Sequence, residues 1–159
     1  LNACVQAADR MGVSSLHVTF PTFEQWTEMG EAGLLLRKDQ QFIWRNDGYR
    51  TFDDFLAALS SRKRKNIRKE RAQAVSAGID IEVLTGGDLT EAHWDAFFRF
   101  YMDTSSRKWG RPYLNRKFFS LIGERMPEKI VLVLCRRAGR YIAGAINLLG
   151  TDALFGRNW

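Results

Sequence analysis

The residue types best suited to binding a ligand are concentrated between positions 105 and 113. They are Ser105, Ser106, Arg107, Lys108, Trp109, Gly110, Arg111, Pro112 and Tyr113. Glycine and proline mark a loop, and an exposed loop that combines Trp, Tyr and cations suits an anionic or planar ligand. Arg107, Trp109, Arg111 and Tyr113 are therefore candidate substrate-binding residues. In the alternative, Trp109 and Tyr113 only fill the junction between two helices.

The net charge of the chain comes from a second stretch, Ser60–Ala74, which reads SSRKRKNIRKERAQA. Seven of its residues are basic and only Glu70 is acidic, while the rest of the chain holds equal numbers of basic and acidic residues. The whole formal charge of +6 therefore lies here. Because such a localised positive field repels itself, it favours an anionic partner: a phosphate, a nucleic acid or an acidic surface on a neighbouring segment.

A helix over this stretch would have an apolar side and a basic side, at about 100° per residue. The apolar side would hold Ile67, Ala74 and Val75. The opposite side would hold the candidate anion-binding residues Arg62, Lys65 and Lys69. In the alternative, these charges are only solvated, and the aliphatic stems of Arg64 and Arg71 lie along the edge of the core.

Other kinds of site lack a sequence signature. Cys4 and Cys135 are far apart in apolar surroundings, which predicts two reduced structural thiols. His17 and His93 add no metal-ligand spacing, so no metal is expected. No Ser-His-Asp or Cys-His pattern is present. Because no apolar run approaches the roughly 20 residues of a membrane span and the start lacks a secretory pattern, the sequence predicts a cytoplasmic protein.

The first fifty residues predict short elements. The alternation of Leu16, Val18 and Phe20 predicts a strand that ends at Pro21. Thr22 has a glutamine three residues later, which is the spacing of a capping box and predicts a helix that ends near the following glycines. Residues 34–37 and 41–45 predict two strands joined in a hairpin.

Helices dominate the middle of the chain. Thr51 and Asp54 predict the cap of a short helix, and the basic helix follows over residues 61–78. A strand is predicted over 80–84, and Thr90 caps a long helix. The apolar positions of that helix are Trp94, Phe97, Phe98, Tyr101 and Met102. Their helical spacing predicts core residues.

Asn115 is predicted to begin a further helix, and three strands follow it. The strands cover 130–136, 141–149 and 153 onward, and their short connections predict an antiparallel meander. The sum of strand, two helices and three strands is a mixed α+β fold. Asn147 lies in an otherwise apolar strand, where a buried polar side chain needs a partner. That partner is either a neighbouring loop or a substrate.

This order of elements resembles the first half of the GNAT acyltransferase fold. Three stretches resemble a narrower group, the Fem-like peptidoglycan biosynthesis/recognition proteins, which are built from two GNAT-like lobes. The stretches are FDDFLAALSSRKRKNIRKERAQA from Phe52, HWDAFFRFYMDTSSRKWGRPYL from His93 and YIAGAINLLGTDALFGRNW from Tyr141. The resemblance covers roughly 34–159. It implies that residues 1–50 end a first lobe, that 51–78 form linking and basic helices, and that 79–159 begin a second lobe.

The resemblance implies a transferase that moves an acyl or aminoacyl group from acyl-CoA or aminoacyl-tRNA to an amine, with a cell-wall precursor as a possible acceptor. The strand from 153 onward would lie beside the donor, which makes Arg157 and Asn158 candidate substrate contacts. The connection between the two helices would border the acceptor site. GNAT enzymes hold the CoA pyrophosphate in a loop of the form Q/R-x-x-G-x-G/A after the fourth strand. The sequence stops within that strand, so we expect a piece of a longer chain that lacks the loop.

Two hypotheses from different classes remain. In the first, the chain is part of such an acyltransferase, of the kind that includes N-acetyltransferases. In the second, it is a nucleic-acid-binding module whose basic helix, over 61–77, contacts phosphates. A combination of the two is also open, because the basic helix could contact tRNA.

Overall fold

The structure, a computed structural model, describes residues 2–107 and 112–158. The chain divides into two compact units, Leu1–Gly48 and Tyr49–Trp159. The second unit holds the sheet and most of the helices.

Two helices lie in the described part of the first unit, residues 2–48. Helix α1 spans Asn2–Met11 and was not predicted, although its alanines favour a helix. Helix α2 spans Phe23–Glu31. Its predicted capping box is confirmed: the Gln25 N–H donates to Thr22 Oγ1 over 3.3 Å, and the Thr22 N–H donates to Gln25 Oε1 over 3.0 Å.

The strands predicted in the first unit are wrong. Residues 16–20, 34–37 and 41–45 form no strand, and Phe20 has a φ of 58°, in the left-handed region. A strand is stable only when its backbone groups pair with a neighbouring strand. Within the described part of this unit no segment supplies that pairing. A short alternating pattern was therefore insufficient to predict a strand.

The second unit begins with a pair of helices. Helix α3 spans Phe52–Ala58 and helix α4 spans Ser61–Ser76. The cap of α3 is confirmed, because the Asp54 N–H donates to Thr51 Oγ1 over 3.1 Å and the Thr51 N–H donates to Asp54 Oδ2 over 2.9 Å. The predicted apolar side of α4 is only partly correct: Ile67 is half-buried, whereas Ala74 and Val75 are exposed.

Among the described residues, four antiparallel strands form one sheet in the order β1-β2-β3-β4. They are β1 (Ile79–Leu84), β2 (Ile130–Arg137), β3 (Arg140–Leu149) and β4 (Leu154–Asn158). The predicted meander of β2, β3 and β4 is therefore confirmed. Helices α5 (Glu91–Ser106) and α6 (Arg116–Arg125) lie between β1 and β2 in the chain. The architecture is α+β.

The core lies between the sheet and the α5–α6 pair. Its buried members are Trp94, Phe97, Tyr101, Phe119, Ile130, Leu132, Leu134 and Ile146. The predicted aromatic core of α5 is confirmed at Trp94, Phe97 and Tyr101. Phe119 is 1% exposed, and its ring centroid lies 5.5 Å from that of Phe97 and 5.6 Å from that of Tyr101. Truncating such a side chain to alanine typically costs about 3–5 kcal/mol.

Both cysteines are free thiols, as predicted, but their surroundings differ from the prediction. Cys135 is half-buried in β2, whereas Cys4 is exposed on α1. Although the neighbours of Cys4 in sequence are apolar, none of the described residues of α1 is buried.

Candidate functional site

Two of the predicted substrate-binding residues contact each other. The guanidinium of Arg157, on β4, donates a hydrogen bond to the hydroxyl of Tyr113, and its carbon lies 5.9 Å from the centroid of the tyrosine ring. Tyr113 is 70% exposed. These residues are 44 positions apart in sequence, so the fold brings the α5–α6 connection to the end of β4. Together they present an aromatic ring and a cation to solvent.

Tyr101 anchors the segment that carries Tyr113. The hydroxyl of Tyr101, a buried core residue, accepts a hydrogen bond from the Leu114 N–H over 3.1 Å. On the far side, Asn115 caps α6, because its Oδ1 accepts from the Phe118 N–H over 2.9 Å. Tyr113 is thus followed in sequence by two residues, Leu114 and Asn115, that each form a hydrogen bond with a helix. Sequence reasoning assigned Tyr101 only to the core, and the hydroxyl at a core position was the signal that it also had a polar role.

Asn158 lies next to Arg157 and has an unusual side chain. It is opposite Ile146, a buried core residue, so its side chain shares the face of the sheet that carries the helices. Its Oδ1 atom is buried and has no hydrogen-bond partner among the described residues. An unsatisfied buried acceptor costs about 1–3 kcal/mol. Asn158 therefore offers an unpaired acceptor on the core face of the sheet, at the end of β4.

Asn147 does not join this group. Its neighbours in β3, Ile146 and Leu148, belong to the core side, so the side chain of Asn147 points to the other face of the sheet. Its Nδ2 donates to the Val131 carbonyl over 3.2 Å. The partner is thus the adjacent strand β2, and neither of the two predicted partners, a loop or a substrate, is needed to satisfy that N–H.

The remaining residues of the predicted loop site are only partly described. Arg107 follows α5 and forms an ion pair with Asp103, four residues earlier. Trp109 and Arg111 lie outside the described residues. The described part of the candidate site therefore consists of the contacting pair Tyr113 and Arg157, with Asn158 next to Arg157 in sequence and Arg107 at the start of the same connection.

The basic helix α4 has two different sides. Arg64 donates to the Ala57 carbonyl over 3.2 Å, and Arg68 Nη2 lies 3.1 Å from Asp53 Oδ1. The guanidinium carbon of Arg71 lies 4.3 Å from the centroid of the Phe52 ring. These three arginines fasten α4 to α3. The predicted anion-binding residues face elsewhere and are exposed: Arg62, Lys65 and Lys69.

Sequence reasoning missed a polar cluster on the helix-covered face of the sheet. Tyr141 Oη donates to Glu82 Oε2 over 2.9 Å, and Arg136 Nη2 lies 3.0 Å from Glu82 Oε1. The ring of His93 meets that of Tyr141 edge to face at 6.0 Å. Burial, together with the bond to Glu82, raises the pKa of Tyr141. Each hydrogen-bonding group here has a partner, which is typical of a structural network.

His93 has a local role at the start of α5. Its Nδ1 accepts a hydrogen bond from the Thr90 N–H over 3.2 Å, so the ring proton resides on Nε2 in the neutral form. His93 thereby completes the cap of the helix that Thr90 was predicted to begin.

The described ranges, 2–107 and 112–158, contain no group of three or more potential metal ligands. Over the same ranges, no helix has the length and apolar character required to cross a bilayer.

A comparison with protein-family models identifies the family of this α+β protein. A family model described as peptidoglycan biosynthesis/recognition, FemAB-like, matches residues 1–159. The chain therefore belongs to the FemAB-like family. Searches of curated proteins and of solved structures found no significant match. Family membership implies a role in peptidoglycan biosynthesis or recognition.

Proposed function

We propose that this protein is a cytoplasmic transferase, or part of one, that moves an acyl or aminoacyl group to an amine of a cell-wall precursor. The observation that carries the proposal is the family match over the whole chain. The donor is acyl-CoA or aminoacyl-tRNA. The amine nitrogen attacks the donor carbonyl carbon and a C–N bond forms. The C–S bond of the thioester or the C–O bond of the ester then breaks, and the proton lost by the amine passes to the leaving group.

We further propose a GNAT-like arrangement. The supporting observation is the order of β1, α5, α6 and the antiparallel strands β2–β4. In this arrangement residues 1–50 end a first lobe, 51–78 link the lobes, and 79–159 begin the second lobe.

The substrate site of this proposal is centred on Arg157. Its guanidinium is exposed on β4, and a carboxylate or phosphate of the substrate would accept its free N–H donors. Asn158 Oδ1, which has no donor among the described residues, would accept from a substrate N–H. Tyr113 would pack against the substrate with its exposed ring face. Arg107, Trp109 and Arg111 would border the same site, because they belong to the connection that carries Tyr113.

Asn147 is retained as a candidate for a separate substrate contact. Its amide oxygen lies on the face of the sheet opposite the helices, where Val131 accepts from the amide nitrogen. A role for Asn147 requires that the substrate extend to that face.

The proposal is tested by incubating the protein with a soluble muramoyl pentapeptide and, in separate reactions, acetyl-CoA or a mixture of aminoacyl-tRNAs. Mass spectrometry of the pentapeptide should show the mass of an added acyl or aminoacyl group with one of the donors. A product that survives treatment with hydroxylamine is an amide, because hydroxylamine cleaves esters and thioesters. Absence of product with both donors would contradict the proposed transfer.

A further inference from the structure

We propose that the outer side of α4 binds the phosphodiester backbone of a nucleic acid without sequence preference. The juxtaposition that supports this is a row of exposed cations on a helix whose other side is fastened to α3. Where the donor is aminoacyl-tRNA, the inference rests on the proposed transfer and deepens it. It is tested separately, because nucleic acid binding can be measured with neither an aminoacylated donor nor an acceptor present.

The first step is the division of the cations between the two sides of α4. Arg64, Arg68 and Arg71 recur at helical spacing and all contact α3. Three other cations lie within about 60° of one another on a different side, turned by about 120° from the three arginines, at 3.6 residues per turn. They are Arg62, Lys65 and Lys69. Within the described part of the chain, the side chains of these three make no ion pair or hydrogen bond, so their charges remain available to a partner.

The second step concerns rigidity. Arg64 donates to carbonyls at the end of α3, Arg68 pairs with Asp53, and Arg71 covers Phe52. These contacts hold the axis of α4 in place before any partner arrives. A preorganised row of charges loses less conformational entropy on binding than the same charges on a flexible chain.

The third step is the length of the row. Lys69 follows Arg62 by seven positions, which corresponds to about 10 Å along the helix axis at 1.5 Å per residue. Phosphates of one strand of a duplex recur every 3.4 Å or so along its axis. The row therefore spans about three phosphates, one for each cation.

The fourth step distinguishes a nucleic acid from a membrane. Apart from Ala72, the residues between and beyond the cations on this side are polar: Asn66, Gln73 and Ser76. Asparagine, glutamine and serine commonly contact phosphate and sugar oxygens. A helix that adsorbs to a lipid surface instead inserts Trp, Phe or Leu on its apolar side. Neither the row nor these polar neighbours include such a residue, so a polyanionic backbone fits this surface better than a bilayer.

The test compares two triple variants that lose the same charge. The first replaces the row, as Arg62→Gln, Lys65→Gln and Lys69→Gln. The second is a matched control that replaces exposed cations elsewhere, as Arg99→Gln, Lys117→Gln and Lys129→Gln. Circular dichroism verifies that both variants keep the wild-type helix content. Binding of a fluorescein-labelled RNA duplex of about 16 bp is followed by polarisation over a series of KCl concentrations, with a DNA duplex of different sequence in parallel.

We expect micromolar binding of both duplexes by the wild-type protein, with log K falling linearly against log[KCl]. The row variant should lower that slope by about 0.9 per lost phosphate contact, or about 2.7 in total. Between roughly 50 and roughly 200 mM KCl, the binding constant of the row variant should therefore fall about 40-fold less than that of the wild-type protein. The control variant should stay within about twofold of wild type, because its cations do not form a row.

Three results would overturn the inference. The first is equal weakening by the two triple variants, which would show a general effect of net charge. The second is absence of duplex binding by the wild-type protein. The third is unchanged duplex binding by the row variant together with loss of its binding to vesicles rich in anionic lipid, which would identify a membrane surface. None of these depends on whether the transfer reaction occurs.

Discussion

Arg116 is expected to be a principal stabilising residue of the second unit, because it ties the start of α6 to α5. Its Nε lies 2.7 Å from Asp95 Oδ1, and its Nη2 lies 2.8 Å from Glu91 Oε2. The same Nη2 donates to the Glu91 carbonyl over 3.0 Å, and Nη1 donates to Ser120 Oγ over 2.8 Å. The side chain of Arg116 is 25% exposed.

The cost of Arg116→Ala follows from these contacts. The carboxylates of Glu91 and Asp95 are 68% and 66% exposed, so each ion pair is treated as a surface pair of about 0.5–1 kcal/mol. The two neutral acceptors add about 0.5–1 kcal/mol each. The sum is about 2–4 kcal/mol, reduced slightly because Ser120 can still donate to Glu91 over 2.8 Å. We expect a loss of about 2–3 kcal/mol.

The assay is urea unfolding at pH 7 followed by circular dichroism. With a slope of about 2 kcal/mol per molar urea, the midpoint should fall by about 1–1.5 M. Arg125→Ala is the matched control, since Arg125 lies 3.7 Å from Glu124 and both side chains are more than 70% exposed. That variant should lose less than about 0.5 kcal/mol.

A loss for Arg116→Ala no larger than that for Arg125→Ala would refute this reasoning. So would a loss that is independent of salt, because the ion-pair share should shrink in about 1 M NaCl as the Debye length falls to about 3 Å.

Three further predictions concern local features. The pKa of Asp54 is lowered by hydrogen bonds from the Thr51 N–H and hydroxyl and from a preceding backbone N–H, so its contribution is present above the unfolded-state pKa and is lost as pH falls through the folded-state value. Asp54→Asn should therefore reduce the acid dependence of unfolding below about pH 4, measured by urea titration at several pH values. The raised pKa of Tyr141 has the opposite consequence: its contribution is present below about pH 10 and is lost at higher pH, and Tyr141→Phe should remove that alkaline loss. Gly144→Ala would place a Cβ 2.8 Å from a leucine methyl of β2, and thermal unfolding should report a loss of about 1–3 kcal/mol from overpacking.

Helix caps and aromatic spacing were the most informative parts of the sequence. Thr22, Thr51, Thr90 and Asn115 each begin the helix that was predicted from them, because a cap is a local interaction within three or four residues. The meander could be predicted because its connections are too short for another topology. The strands expected at 16–20 and 34–45 failed, since pairing depends on a distant partner that the local pattern does not contain.

The candidate site was predictable in composition but not in geometry. The loop and the last strand were chosen from residue types and from the resemblance, and the contact between Tyr113 and Arg157 depends on how α5 and β4 pack. Whether these residues bind substrate stays a prediction. The Glu82–Arg136–Tyr141 cluster was missed because its members come from three strands and share no sequence pattern. The division of cations on α4 was foreseen only in one of the two alternatives, in which the stems of Arg64 and Arg71 lie along the edge of the core.

The most direct test of the proposed transfer site is the steady-state kinetics of Arg157→Ala, measured with the donor that supports pentapeptide modification. Loss of a hydrogen bond to a charged group of about 1.5–3 kcal/mol predicts a fall in kcat/KM of about 10- to 150-fold. Arg140→Ala, at an exposed cation of the β2–β3 hairpin, should change kcat/KM less than about twofold. Equal kcat/KM for Arg157→Ala and wild type would contradict the placement of the substrate site at the end of β4.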